Sequence, residues 1–332
     1  MLKFKKKGIA PIFITGAWRS GTTLISRILN NHPDLEVTYD TVHFMRFSFN
    51  RYNPINNKKN VNKLIIDTSK RLYERYDLKI NNKDVFEIIN GNYNYKKIYD
   101  AIMQVLLFKK ERKKIWGEKT NLAWTKIPDF FKMYPKGRVI HIVRDPRAVL
   151  YSWKKFTKAP MNDYLDSVLN CYDSMKTGII YKEKFKHKRY QLIKYEDLVS
   201  NPIHVIKTIC KKFEIKYDKN MINAKLFKDM HQNKWHANSI HKKMKGISIE
   251  VINKWKKGLY DWEIYLTETI LNDILNSFNY KLIKIKKTKK IIDEVIKNIT
   301  NSNLACRGFI EYILTKEGFE RYPSDPLLKK NW

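Results

Sequence analysis

The first apolar block of the chain, residues 9–15, is short, rich in β-branched side chains and ends at Gly16. This pattern predicts a strand buried on both faces. Polar Gly, Ser and Thr positions follow. Leu24, Ile25, Ile28 and Leu29 then recur at helical spacing as far as Asn30-Asn31. Residues 35–39 predict a second strand. Residues 41–112 carry a mostly helical period, interrupted by an Asn-rich break at 53–62. Residues 114–117 predict a short strand that runs into Glu118-Lys119-Thr120. Residues 138–143 and 190–194 predict two more strands, the first of them strongly apolar. The first leads through Arg144-Asp145-Pro146 into a helix carrying Ala148, Val149 and Trp153. After the second, Asn201 supplies a helix cap and Pro202 a first turn. Val205, Ile206, Ile209, Cys210 and Phe213 form the apolar stripe of that helix.

Strands alternating with helices predict an α/β fold of three layers, a central, mostly parallel sheet flanked by helices. No internal repeat and no clean linker divides the chain. Residues 1–283 are expected to form one domain, with the helical insert at 41–112 shaping a ligand pocket. Residues 284–332 are expected to form a Lys-rich helical extension, either packed on the domain or open to a partner.

Composition adjusts this picture. A chain of 332 residues is ample for a large α/β core. Its formal net charge of +33 suits nucleic acid, a membrane surface or an anionic small ligand in a basic cleft. The lysines are scattered among many Asn, Ile and Tyr residues, so a chain-wide bias accounts for part of the excess. No RNA-binding signature is present, so specific nucleic-acid binding is not expected. Cys171, Cys210 and Cys306 lie far apart with no CxxC pair, which excludes a zinc ribbon or a disulfide framework by motif. A reducing, cytoplasmic compartment is the simplest fit. His231 and His236 are too isolated to form a metal motif. The apolar run after the basic start is about six residues, short of a secretory signal or a span of about twenty. A soluble chain without a transmembrane segment is expected.

Candidate chemistry begins at Gly16-Ala17-Trp18-Arg19-Ser20-Gly21-Thr22-Thr23, between a predicted strand and helix. The two glycines keep the spacing of a phosphate-binding P-loop, with Thr22 where that motif has Lys. Glycine lets the backbone curl, and the first helical amides face an anion. Arg19 adds a forked cation, and Ser20, Thr22 and Thr23 add hydroxyls. The missing Lys argues against an ATPase, a GTPase or a P-loop small-molecule kinase. A second anion element is Arg144, at the carboxyl end of a predicted strand, where open α/β sheets bind ligands. Ser152 follows eight residues on, about two helical turns away.

Residues 11–24, from Pro11 to Leu24, resemble the 5′-phosphosulfate loop of sulfotransferases that use 3′-phosphoadenosine-5′-phosphosulfate (PAPS). The following Asn31-His32-Pro33-Asp34 is similar to a segment of the same family. Residues 139–153 resemble its 3′-phosphate motif, which implies that Arg144 and Ser152 hold that phosphate. Gly117-Glu118-Lys119-Thr120-Asn121 resembles the Glu-Lys-Thr segment. The matching lysine in protein-tyrosine sulfotransferases stabilises charge at the sulfuryl centre. Tyr195-Glu196-Asp197-Leu198 resembles the segment whose Tyr contacts the nucleotide. Lys245 and Lys254-Trp255 resemble the late nucleotide-binding loop, and Ser239 matches a serine acting at the sulfuryl group. The resemblance covers residues 9–260 and is closest to the protein-tyrosine and carbohydrate branches. It implies a P-loop-like fold and in-line transfer of a sulfuryl group from PAPS, without a metal, to an acceptor hydroxyl or amine. The acceptor stays open among sugars, lipids, small molecules and peptidyl tyrosine.

Such a transfer needs a base for the acceptor proton. Asp40 stands where the tyrosine branch carries its catalytic Glu, one methylene shorter. Val42 replaces that branch's Arg. His43 is the alternative base. The competing function classes are a small-molecule kinase, which magnesium dependence would reveal, and a basic nucleic-acid-binding protein.

Overall fold

The computed structural model describes residues 10–107, 115–156, 163–229, 231–235 and 247–315. In chain order the first elements are β1 (Ile12–Thr15), α1 (Thr22–Asn30), β2 (Leu35–Val37), α2 (Phe44–Phe47), α3 (Lys58–Tyr76), α4 (Asn82–Ile89), α5 (Tyr95–Leu107) and β3 (Ile115–Lys119). They are followed by α6 (Ile127–Met133), β4 (Arg138–Val143), α7 (Pro146–Phe156), α8 (Asp166–Lys184) and β5 (Arg189–Lys194). The chain continues through α9 (Tyr195–Ser200), α10 (Pro202–Phe213), α11 (Asp261–Ser277), α12 (Lys289–Thr300) and α13 (Asn303–Thr315).

The five strands form one parallel sheet in the order β2-β3-β1-β4-β5. β1 is central, and its Ile12 pairs with Gly117 on one side and Arg138 on the other. The apolar runs of β1 and β4 follow from burial on both faces. Ile12 and Ile14 pack with Ile140 and Ile142 into the layer under α1, α9 and α10. Phe13 and Val139 face the opposite layer, where Phe13 stacks on Phe130 of α6 with ring centres 5.1 Å apart. The expected three-layer α/β architecture is present.

Three boundaries differ from expectation. β3 runs on through Glu118 and Lys119, both buried. β2 stops at Val37, two residues early. α3 begins at Lys58, inside the Asn-rich break, because Asn57 caps it by accepting from the Lys59 amide at 2.8 Å. α12 and α13 lie against α11 and α8, and Phe309 of α13 is buried. The Ser302 hydroxyl donates to Asp163 at 2.5 Å. The described part of the C-terminal extension is therefore packed. Among the described residues no helix is long and apolar enough to cross a membrane.

The topology brings the carboxyl ends of the strands to one edge. Thr15, Val37, Lys119, Val143 and Lys194 end there and lead directly into the Gly16–Thr23 loop, Asp40, Asn121, Arg144 and Tyr195. In open α/β sheets this edge, beside the strand where the winding reverses, is the ligand crevice.

Candidate active site

The loop after β1 is shaped by two glycines. A Cβ on Gly16 would lie 2.3 Å from the Ile142 carbonyl oxygen of β4. Gly21 has φ +104°, and a Cβ there would sit 2.3 Å from the Tyr195 ring. Gly21 is also the N-cap of α1, with no side chain to cap it. The first amides of the helix thus lack the usual internal partner. The Ser20 hydroxyl donates to the Ala17 carbonyl at 2.6 Å and braces the turn. Thr23 is half-exposed beside it.

Arg19 sits at φ +65° and reaches across the crevice, its Nε donating to the Ser152 hydroxyl at 2.9 Å. Arg144 Nη1 donates to the Arg19 carbonyl at 3.0 Å, and its guanidinium lies 4.4 Å from the Tyr195 ring centre. Arg144 Nε is buried with no hydrogen-bond partner among the described residues. The structure therefore gathers Arg19, Arg144, Ser152 and Tyr195 into one group. Burial, and then the neighbouring Arg144, lower the Arg19 pKa to about 10. Such a cation gains most from an arriving anion.

Val251 brings the late segment to the same place, its carbonyl 3.4 Å from Arg144 Nη2. Lys254 is half-buried in the following 3₁₀ turn, next to Trp255, over whose ring the Arg147 guanidinium lies at 4.1 Å. Ser239 and Lys245 lie outside the described residues.

A second group forms between β2 and β3. Lys119 Nζ lies 3.1 Å from Asp40 Oδ2, and His43 Nε2 lies 3.3 Å from Asp40 Oδ1. The two candidate bases are thus in contact. The Lys119 side chain is 5% exposed and that of Asp40 38%. Burial pushes the Asp40 carboxyl up, but Lys119, His43 and Arg46 outweigh it and hold the pKa at about 2. Burial lowers Lys119, against the pull of Asp40. His43 is driven down to about 3, first by burial and then by the nearby Arg46, Arg71 and Lys119, despite Asp40. Its imidazole is neutral at pH 7.

Several supporting roles are not legible in the sequence. Arg71 Nη1 donates to the Thr41 carbonyl at 2.6 Å, and Nη2 to that of Val42, which pins the turn before His43 at φ +50°. Glu118 is fully buried and accepts from the Phe44 amide at 3.1 Å and from the Tyr99 hydroxyl. Arg27 of α1 lies under the Tyr39 ring, and burial lowers its pKa to about 8. Glu196 accepts from the Asp145 amide at 3.0 Å and fixes the turn behind Arg144. These contacts join segments far apart in sequence, and a buried charge inside a strand was the one local sign of them.

A parallel α/β protein with a glycine loop, a helix N-terminus and convergent cations at one sheet edge belongs to the class that binds phosphate-bearing ligands there. Comparison with known proteins narrows the class. The model of the Sulfotransferase family matches residues 11–219, and the chain belongs to that family. Carbohydrate sulfotransferase 1 of Danio rerio is 25% identical over 198 residues, covering 53% of this chain and 44% of that protein. The chain thus spans less than half the length of that relative. Two solved structures share the fold. The sulfotransferase domain of the Synechococcus PCC 7002 olefin synthase has a TM-score of 0.57 at 19% identity, over 84% of this chain and 97% of that one. The sulfotransferase domain from the curacin biosynthetic pathway has a TM-score of 0.54 at 17% identity, over 83% and 100%.

Proposed function

We propose that the protein transfers a sulfuryl group from PAPS to an acceptor hydroxyl or amine, leaving adenosine-3′,5′-bisphosphate. The observation that carries this reading is the Asp40–Lys119 pair at 3.1 Å, set beside a glycine loop and an Arg19–Ser152–Arg144 cluster. It puts an acid–base group and a buried cation next to a site built for anions. The residues fit the donor. The orphaned Arg144 Nε and the side-chain-free cap at Gly21 are open acceptor-seeking positions.

Arg19, the loop amides and Thr23 hold the 5′ anion, with Ser20 bracing the turn. Arg144 and Ser152 take the 3′-phosphate, Tyr195 supports the nucleotide, and Lys254, with Ser239 and Lys245, belongs to the late nucleotide loop. When bound, PAPS supplies a sulfuryl group on a good phosphate leaving group. Lys119 faces the charge that grows as the old S–O bond breaks. Asp40 accepts the acceptor proton as the new bond forms. A carboxyl held at about 2 is a weak base. An anion on the loop draws off part of the Lys119 charge and lifts Asp40 toward a useful range. The likeness to a carbohydrate sulfotransferase makes a sugar hydroxyl the first acceptor to screen, ahead of lipids, small phenols and peptides.

The test is binding followed by transfer. Adenosine-3′,5′-bisphosphate should raise the melting temperature, as a ligand of the native state does. ATP, which lacks a 3′-phosphate, should do so far less. Labelled PAPS should then pass label to an acceptor in the presence of a chelator. Stabilisation by ATP alone would overturn the reading.

A further inference from the structure

We propose that Asn121 is a positioning residue that ties the glycine loop to the base. The inference rests on reading Asp40 as that base. Asn121 is 4% exposed and lies just past the end of β3, two residues beyond Lys119. Its side chain bridges two segments. The Thr22 hydroxyl donates to its Oδ1 at 2.7 Å, and its Nδ2 donates to Asp40 Oδ2 at 2.8 Å. Arg46 Nη1 holds its backbone carbonyl at 3.2 Å.

Chemistry decides which way round the amide sits. An ionised carboxylate only accepts, so the NH₂ group must face Asp40. The amide oxygen then faces Thr22, and the Thr22 hydroxyl has to donate inward. Thr22, the first residue of α1, therefore presents lone pairs and no proton to the loop. The hydroxyl that the sequence assigns to the 5′ anion is thus committed to orienting Asn121. A shift of the loop moves Thr22, and through Asn121 it moves the base.

Three groups address the Asp40 oxygens directly. Lys119 and Asn121 share Oδ2, and His43 faces Oδ1. Arg46 from α2 adds its charge at longer range, while Arg19 and Arg27 press on Lys119. Losing the neutral donor removes one stabiliser of the ionised form, so Asp40 must become easier to protonate. The remaining cations limit the change. An asparagine that merely fills space would leave the titration of Asp40 where it was.

The test follows the Asp40 carboxyl carbon by NMR in the full chain without donor or acceptor, the signal assigned by its loss in Asp40→Asn. In Asn121→Leu the donor is lost while the volume is nearly kept and no charge is added. The Asp40 midpoint should then rise by about half a pH unit or more. Thr22→Val keeps the shape of Thr22 and leaves the amide unoriented, and it should move the midpoint the same way by less. With an acceptor in hand, Asn121→Leu should lower kcat about tenfold or more and move the acidic limb of kcat/KM upward. Affinity for adenosine-3′,5′-bisphosphate should stay within about threefold. An Asp40 midpoint unchanged in Asn121→Leu overturns the proposal, and one unchanged in Thr22→Val overturns the link to the loop. A parent chain that transfers no sulfuryl group refutes the proposed function instead, because the titration needs no turnover.

Discussion

Arg19 Nε lies 2.9 Å from the Ser152 hydroxyl oxygen, joining the first loop to the middle of α7 across 133 residues. The same Arg19 gives its carbonyl to Arg144 at 3.0 Å. The elements expected to hold the 5′ and 3′ anions are therefore already in contact. Helix α7 faces the loop because the Asp145–Pro146 turn reverses the chain, and Glu196 fixes that turn from behind.

Arg144→Ala removes a charge-assisted contact whose loss costs roughly 1.5–3 kcal/mol. Affinity for adenosine-3′,5′-bisphosphate should fall about tenfold to a hundredfold in a calorimetric titration. The fold should survive, since Arg144 is only half-buried at the rim. An unchanged affinity removes Arg144 from the binding site.

Gly21 meets two constraints that can be separated. An L-residue at φ +104° is strained, and its Cβ would strike the Tyr195 ring at 2.3 Å. Gly21→Ala should cost roughly 2–4 kcal/mol in denaturant unfolding. Adding Tyr195→Ala relieves the clash and leaves the backbone strain. The double variant should be more stable than the two single effects summed. Simple additivity would show that the ring yields freely and that backbone strain alone matters.

Glu118 gives a prediction in pH. Burial raises its carboxyl to about 7, despite hydrogen bonds from Tyr99 and Phe44 that favour the charged form. A carboxyl raised on folding binds its proton more tightly in the native state. Its contribution to stability is complete below about 4.5 and is lost as pH rises through about 7. Asp166, also raised to about 7 by burial, adds to the same trend. Relative to the parent, Glu118→Gln should flatten the decline in stability between these values. Equal slopes in the two proteins would place the Glu118 pKa near its ordinary value.

What the chain discloses by itself depends on whether the signal is local. β4 has the bounds that its apolar pattern predicts, Arg138–Val143, because both its faces are buried. The glycine loop and Arg144 were legible because backbone shape and strand-end position are written in neighbouring residues. The course of β3 through Glu118 and Lys119 was not, since hydropathy cannot register that Tyr99 and Asp40 meet those charges inside the protein. In the sequence Asn121 is only the last residue of the Glu-Lys-Thr segment. Its partners, Thr22 and Asp40, lie 99 and 81 residues away. Arg71, which secures the turn before His43, comes from the middle of the helical insert.

Asp40 and Lys119 share one ion pair, and their proposed roles separate in kinetics. Asp40→Asn keeps the shape and removes the basicity, so turnover should fall by about 10²–10⁴. Lys119→Met removes the buried cation and should also cut turnover by orders of magnitude, because preplaced charge is often the largest catalytic contribution. Asp40→Asn should bind adenosine-3′,5′-bisphosphate within a few-fold of the parent, since Asp40 touches neither Arg144 nor Ser152. Lys119→Met should bind it more weakly, because the 5′-phosphate of that product carries the charge Lys119 faces. His43 supplies the control. Its pKa of about 3 leaves it neutral at pH 7, facing Asp40 at 3.3 Å. His43→Ala should therefore reduce turnover far less than Asp40→Asn. The pH profile should show no inflection near 6.5, the ordinary midpoint of histidine. The measurement is kcat and kcat/KM from pH 5 to 9 with a screened acceptor. If Asp40→Asn retains near-parental turnover while His43→Ala loses it and the parental profile bends near 6.5, the imidazole is the base. Asp40 would then be the group that orients it.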